Sequence, residues 1–559
     1  MIYFMSIKSF SLALLLYRPV IARTVKMDVL RPFQNLSWCK PDWCFPSMSK
    51  ETNELLRQCI DLPKPELSDN VDEIIEKSKQ FPIPFPIDTA RLHKLKLKRP
   101  LDSLKKNIVS TYPVIHERVL LLMTHFLIYK REFGTSIEKA FYKDVTVPIL
   151  IDRILKKRAV VFMGEDDHYK LFSGEMGSDG WEAVGTVHQK PPLVLENCLS
   201  YDEMKLSAMV FVSGHTECIN NGARHNVGVE MEEGIEKNAV IIGVIGTRFE
   251  RRARMDCEDI LITEQQNTWE NGYGEEVTPT TCFNVLKTTY VRNNQSAKHM
   301  WRQIWSEFYQ VHSYTYEELT SYVNIEDKSE DKRYIERYVK CSSQECSNNV
   351  IFDNEVYYKR LSVLVETTLL EAEYRASEAG KDAFVNIIGA GLGVWKVSSH
   401  QADVYILTFL ERIRSLLKKD LLNHISDVNF AYVRPTSGVL ALFTSDTDTE
   451  KRIFFECKRH PRGGINVQLE NREPSSELSG EHEGKLLVMT YAWDGNAHPG
   501  NEFWLGSLDG SGDPAAACST QVAELHNAHV NAAVSGYNVR VAGRLGLRPL
   551  SDYCLALSS

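Results

Sequence analysis

The spacing of apolar residues changes character near residue 158. From Met48 to Leu155 apolar positions recur at helical intervals, in pieces separated by prolines. Phe81 to Ile87 (FPIPFPI) has proline at every second position. Prolines fix φ and remove backbone donors, so this stretch predicts a stiff linker between helices. Glu117 to Lys130 (ERVLLLMTHFLIYK) is apolar almost all round and predicts a helix buried on most sides. Residues 27–157 thus read as a helical region packed on a later core, preceded by a leader at 1–26.

Beyond Arg158 strands enter. Ala159–Met163, Ala239–Ile245 (AVIIGVI), Phe384–Ile388, Val428–Val433, Ile453–Glu456 and Leu486–Trp493 are short apolar runs bounded by turn residues. Ala239–Ile245 is apolar on both faces, as a buried parallel or mixed sheet requires. Leu361, Leu364, Val365, Thr368, Leu369, Ala372 and Ala376 trace a helical stripe that stops at Gly380. A second helix shows its apolar face at Ile406, Leu410, Ile413 and Leu417, with Ser398 or Ser399 as its cap. Pro514–His526 predicts a third. Strands alternating with helices imply an α/β domain over 158–559 with both sheet faces covered. Polar, charge-dense residues near 324–349 read as a surface insertion.

Composition narrows the partners. The 559 residues carry 65 basic and 74 acidic side chains, a net charge of −9, which argues against nucleic acid or an anionic membrane. None of the twelve cysteines forms a CxxC pair or joins a zinc ligand set, so reduced thiols in an intracellular protein are expected. Phe10–Tyr17 (FSLALLLY) is too short to span a bilayer and has the character of a weak signal-peptide core. Met27 could begin a shorter form. The expected location is the cytoplasm, with secretion the minority alternative.

Two loops hold the candidate chemistry. Gly389–Lys396 (GAGLGVWK) lies between a strand and a helix, where backbone N–H groups can close on a pyrophosphate. A Rossmann turn is the obvious rival, but Val394 stands in place of its third glycine and no acid ends the next strand. An oxidoreductase is therefore disfavoured. The second loop, Trp493–Asp513 (WDGNAHPGNEFWLGSLDGSGD), places Asp494 at the carboxyl end of a buried strand. Asn496 and Asn501 can hydrogen-bond a ribose, and Gly500 permits close backbone approach. Glu502, Asp509 and Asp513 add carboxylates, although Asp513 before Pro514 also suits a helix N-cap. Ala515–Ala517 leave the first turn of the helix without bulk. Weaker candidates are His215, Glu217 and His225, and Arg248 and Glu250 in GTRFERR. Surface or structural roles are the plainer reading of all five.

These loops resemble those of macrodomains and poly(ADP-ribose) glycohydrolases. From about residue 135 onward the chain is most similar to the MavL group of macrodomain-like ADP-ribosylhydrolases, through SIEKAFYKDVTVPILIDRIL, LSYDEMKLSA, IEKNAVIIGVIGTRFER and DGNAHPGNEFW…SGDPAAA. The resemblance implies a macrodomain-like mixed sheet flanked by helices. Because GAGLGVW precedes DGNAHPGNEFW, the order is rearranged or permuted relative to a standard macrodomain. It implies catalytic roles for Asp494, Glu502 and Asp513, and ADP-ribose contacts at Gly389, Gly391, Leu392, Gly393, Val394, Asn496, Gly500 and Asn501. The glycohydrolase GGG…QEE signature is absent, since Gln521 and Glu524 do not reproduce it, which favours removal of single ADP-ribose units. The implied reaction is hydrolysis of ADP-ribose from a modified protein, arginine linkage favoured, with ubiquitin one candidate substrate. Glu502 and Asp513 would act on the glycosidic bond and Asp494 would orient ribose or water. No cofactor is required by the residues, although a carboxylate-rich site can hold Mg²⁺. A non-catalytic ADP-ribose-binding module is the alternative.

Overall fold

The computed structural model describes residues 24–25, 36–40, 43–46, 48–65, 67–274, 296–341, 349–443 and 452–558. The apolar run Phe10–Tyr17 and the rest of the leader, apart from Thr24 and Val25, lie outside them.

The core is an eleven-stranded mixed sheet. In chain order its strands are β1 (Thr24–Val25), β2 (Tyr112–His116), β3 (Phe211–Glu217), β4 (Asn238–Val244), β5 (Ala383–Ile388) and β6 (Ile425–Ala431), followed by β7 (Arg452–Glu456), β8 (Gly464–Gln468), β9 (Leu486–Ala492), β10 (Arg540–Gly543) and β11 (Gly546–Pro549). Their spatial order is β1-β7-β8-β6-β5-β9-β4-β3-β2-β10-β11. The five central strands β8, β6, β5, β9 and β4 are mutually parallel. Their neighbours β7 and β3 run antiparallel to them. Every residue of β4 after Asn238 is buried, as its two-faced apolar run requires.

Helices cover both faces, and β3 shows how. Ser213 gives its hydroxyl to Glu371 on the long helix Asn354–Ala379, at 2.6 Å. Thr216, three residues on and facing the opposite side, meets Gln521 at 3.1 Å. The macrodomain-like α/β architecture expected from the sequence is therefore present.

Local expectations needed correction. The region 27–157 is not purely helical: Tyr112–His116 is a fully buried strand inserted between β3 and β10. A five-residue strand leading into a long apolar helix has no alternation of its own to reveal it. Val161–Met163 belongs to a separate three-stranded sheet with His168–Lys170 and Met176–Gly177. Pro514–His526 is two helices, Gly512–Ser519 and Val522–Leu525. Among the described residues no helix is long and apolar enough to cross a membrane.

Candidate active site

The carboxyl ends of the parallel strands share one edge of the sheet, where ligands settle in open α/β folds. Four strand ends matter, side by side: β6 leads to Tyr432, β5 to the glycine loop, β9 to Asp494, and β4 to Gly246, Thr247 and Arg248.

The loop after β9 is held by its own acids and amides. Asp513 is fully buried. Its Oδ1 accepts the Gly500 N–H at 2.7 Å and its Oδ2 accepts the Asp494 N–H at 3.2 Å. One carboxyl group thus pins both ends of the segment between them. It is not the N-cap: the helix begins at Gly512, Ser511 holds the cap position without a side-chain bond, and Asp513 sits inside the first turn. Asn501 donates to Asp494 Oδ2 at 2.8 Å and to the Phe162 carbonyl at 3.2 Å, and accepts the Phe162 N–H at 3.0 Å. Its amide is committed within the protein rather than offered to a ribose. Asn496, also buried, points its amide nitrogen at the Met255 sulfur at 3.5 Å, a weak acceptor. Glu502 is the second residue of the 3₁₀ turn Asn501–Leu505, which Gly500 enters with φ of 112°.

Burial drives the electrostatics of these acids. Loss of solvent pushes Asp494 up to about 6, although the Asn501 amide and the Arg248 guanidinium oppose the rise. Loss of solvent and the neighbouring Asp494 push Glu502 up to about 7. Asp513 is raised well above the usual carboxylate range by burial, then by Asp494 and Glu502. Glu502 Oε2 is buried without a hydrogen-bond partner. Two carboxyl groups that titrate near neutrality, one with an uncommitted oxygen, make a proton-exchange site.

The glycine loop works through backbone. Gly391 has φ of 76°, and a Cβ there would lie 2.9 Å from Thr247 N and 3.0 Å from Thr247 O. Here the loops after β5 and β4 touch. At Gly393 a Cβ would meet nothing within 4 Å, and Val394 is 96% exposed. The following helix starts later than expected, at Gln401, with His400 at its cap. His400, not Ser398 or Ser399, holds the cap position, and Gln401 Oε1 reaches back to accept the N–H groups of Val397 and Ser398. Gly389, Leu392 and Gly393 line a cavity of about 500 Å³ whose opposite wall is Gly512, Ala515 and Ala516. The bare first turn of that helix faces the glycine loop across open space.

Three further residues reach this edge: Arg248 and His225, weaker candidates in the sequence, and Tyr432, which the sequence did not single out. Arg248 is buried, stacked 5.1 Å from the Phe162 ring and 5.3 Å from the Trp395 ring of the glycine loop, and donates to Glu250 at 2.8 Å. Its Nε and one terminal nitrogen have no partner. Its place follows from the sequence, since GTRFE comes just after a buried parallel strand. Tyr432 lines the far side of the cavity in a left-handed conformation, φ 60°, with its hydroxyl on Glu473 at 2.6 Å. His225 also lines the cavity, whereas Glu217 pairs with Arg99 and is remote from it. Among the described residues no group of three or more His, Cys, Asp or Glu side chains is placed to hold a metal ion.

The sheet edge thus brings a glycine-lined cavity and carboxyl groups raised toward neutrality to one end of the parallel strands, an arrangement suited to acid–base hydrolysis. Comparison with known proteins gives the family. The description "ADP-ribosylhydrolase MavL-like" matches residues 72–555. The Drosophila melanogaster protein named ADP-ribosylarginine hydrolase CG3568 is 40% identical over 510 residues, covering 90% of this chain and 92% of that relative. ADP-ribosylarginine hydrolase CG2909 of the same species is 35% identical over 515 residues, covering 91% and 94%. The chain belongs to the MavL-like ADP-ribosylhydrolase family, and it is a hydrolase of ADP-ribose glycosidic bonds.

Proposed function

We propose that the chain removes single ADP-ribose units from arginine side chains of modified proteins, with Glu502 as its proton carrier. The observation that carries this reading is Glu502 itself: a carboxyl group pushed to about 7, with an unpartnered oxygen, beside a second acid pushed to about 6. The names of both fly relatives support the arginine linkage.

Hydrolysis breaks the bond between the ribose anomeric carbon and a guanidinium nitrogen, through an oxocarbenium-like state. Glu502 gives its proton to the departing nitrogen and takes one from the water that adds to the anomeric carbon. Asp494, ionised and held by Asn501, stabilises the positive charge on the sugar. Asp513 serves a different end from the one its sequence context suggested. With both oxygens on backbone amides it holds the loop rather than the substrate. The glycine loop takes the pyrophosphate through backbone N–H groups, and the cavity takes the remainder of the ligand. No step is assigned to a metal ion. Ubiquitin stays one candidate among arginine-modified proteins.

The test is release of ADP-ribose from arginine-, serine- and glutamate-modified proteins. Release from arginine alone is the expected result. Binding of ADP-ribose without release from any of the three would move the chain to the non-catalytic alternative.

A further inference from the structure

We infer that the segment Ser78–Leu92 is a strap of the catalytic site, in which Phe81 and Phe85 position the turn carrying Glu502 and Arg91 positions the helix next after the one that bears Asp513. The inference rests on the functional reading above, and its test separates the two.

The first arm is aromatic. Phe81 and Phe85 place their rings 5.0 and 4.9 Å from the Trp504 ring, and Phe85 also lies 6.5 Å from Phe503. Phe503 and Trp504 belong to the same five-residue 3₁₀ turn as Glu502. Trp504 is tied in turn to the loop behind it, donating its indole N–H to the Pro499 carbonyl at 2.9 Å. A 3₁₀ turn this short has little internal hydrogen bonding, so its shape depends on what packs against it. Here the packing comes from a proline-punctuated segment more than 400 residues earlier in the chain.

The second arm is polar. Glu524, almost wholly buried on the helix Val522–Leu525, accepts the Ser78 hydroxyl at 2.6 Å, Arg91 Nε at 3.3 Å and the Leu92 N–H at 2.8 Å. That helix directly follows Gly512–Ser519, which bears Asp513. Arg91 joins the two arms. Its guanidinium lies 4.0 Å above the Phe85 ring and donates to Ser78 Oγ at 2.6 Å. Pro82, Pro84 and Pro86 stiffen the link, so little conformational freedom is lost when it docks. The strap meets the turn that carries Glu502 and the helix that carries Glu524. It therefore acts on the chemistry and leaves the ligand cradle alone, which makes these three side chains positioning residues.

The experiment measures kcat on an arginine-ADP-ribosylated protein, the affinity for ADP-ribose by calorimetry, and the pH profile, for Phe85→Ala, Arg91→Met and Phe85→Tyr in the full chain. Phe85→Ala and Arg91→Met should each lower kcat about ten- to hundred-fold with ADP-ribose affinity within about twofold of wild type. Phe85→Tyr, which keeps the ring, should restore kcat to within about threefold. In Phe85→Ala the alkaline limb should also move to lower pH, because water reaching the turn reverses the burial that raises Glu502. The strap is overturned if kcat in both Phe85→Ala and Arg91→Met stays within about twofold of wild type. It is equally overturned if kcat and ADP-ribose affinity fall together with the melting temperature. Should Phe85→Ala not fold, Arg91→Met, at the partly exposed rim of the strap, decides the matter. Wild-type protein inactive on the arginine-linked substrate would instead refute the functional reading.

Discussion

The two loops at the sheet edge are built on opposite principles. Gly389–Lys396 presents backbone: its glycines leave space, Val394 projects into solvent, and its one strict steric demand falls on Gly391. Asp494–Asp513 presents side chains that hold one another: Asp513 pins two amides, Asn501 bridges Asp494 to Phe162, Asp494 raises Glu502, and both raise Asp513. Backbone suffices to hold an anion, because N–H groups need only be aimed. Proton exchange needs groups whose charge can change, and burial sets where that change falls. Binding and chemistry should therefore separate cleanly under mutation.

The largest expected effect tests that separation on the acidic side. Glu502→Gln should cost about 10²–10⁴-fold in hydrolysis, because an amide cannot carry the proton. Its affinity for ADP-ribose should remain that of wild type by calorimetry. A variant that loses both would show that the acidic loop also binds, and the contrast would fail.

On the glycine side, Gly391→Ala should weaken ADP-ribose binding about ten- to hundred-fold. A side chain there is strained at φ 76° and meets the Thr247 backbone. Gly391→Glu, which adds like charge, should weaken it further. Val394→Ser, at a position open to solvent, should leave affinity unchanged.

Asp513→Asn sharpens the comparison through stability. As an N-cap the exchange would be almost silent, since asparagine caps about as well as aspartate. In the observed position an amide group would face one of the two backbone N–H groups that the carboxyl accepts. That leaves a buried donor unmet, at about 1–3 kcal/mol. The melting temperature should fall, and an unchanged one would return Asp513 to the capping role.

The pH dependence gives a smaller effect with a definite sign. Asp494 must be ionised and Glu502 protonated, so kcat should rise as pH passes about 6 and fall as it passes about 7. Arg248→Gln removes the cation that opposes the rise of Asp494, so the acid limb should shift to higher pH. Stability follows linkage. Glu502 is raised from 4.5 to about 7 on folding, so its native state holds the extra proton. Its contribution is fully present below about 4.5 and is lost as pH rises through 7. Glu502→Gln should therefore melt above wild type at pH 8, with the difference shrinking toward pH 5. No difference between the two pH values would mean that Glu502 is not buried in solution.

Much of the fold was legible because its signals are local. The apolar run Ala239–Ile245, the stripe ending at Gly380 and the strand before Gly389 each carry their period within a few residues. Tyr112–His116 was not legible: its partners β3 and β10 lie some 100 and 420 residues away, and the pairing alone makes it a strand. The acids of the second loop could be found as a dense cluster. Their division of labour could not, because an isolated Asp-Pro reads as a cap whatever amides tertiary structure brings to it.

By itself, then, the sequence determined the α/β class, the glycine loop, the acidic loop and the kinship with ADP-ribosylhydrolases, since each resides in short-range order or in motif. Only the tertiary structure decided that Asp513 is bound to backbone amides and that Glu502 keeps a free oxygen. It alone set Arg248 beside both loops, Phe81 and Phe85 against the turn of Glu502, and Arg91 on Glu524. The reason is physical. Period and propensity act between neighbours in the chain, whereas burial, and the protonation it imposes, depends on every segment that closes over a group.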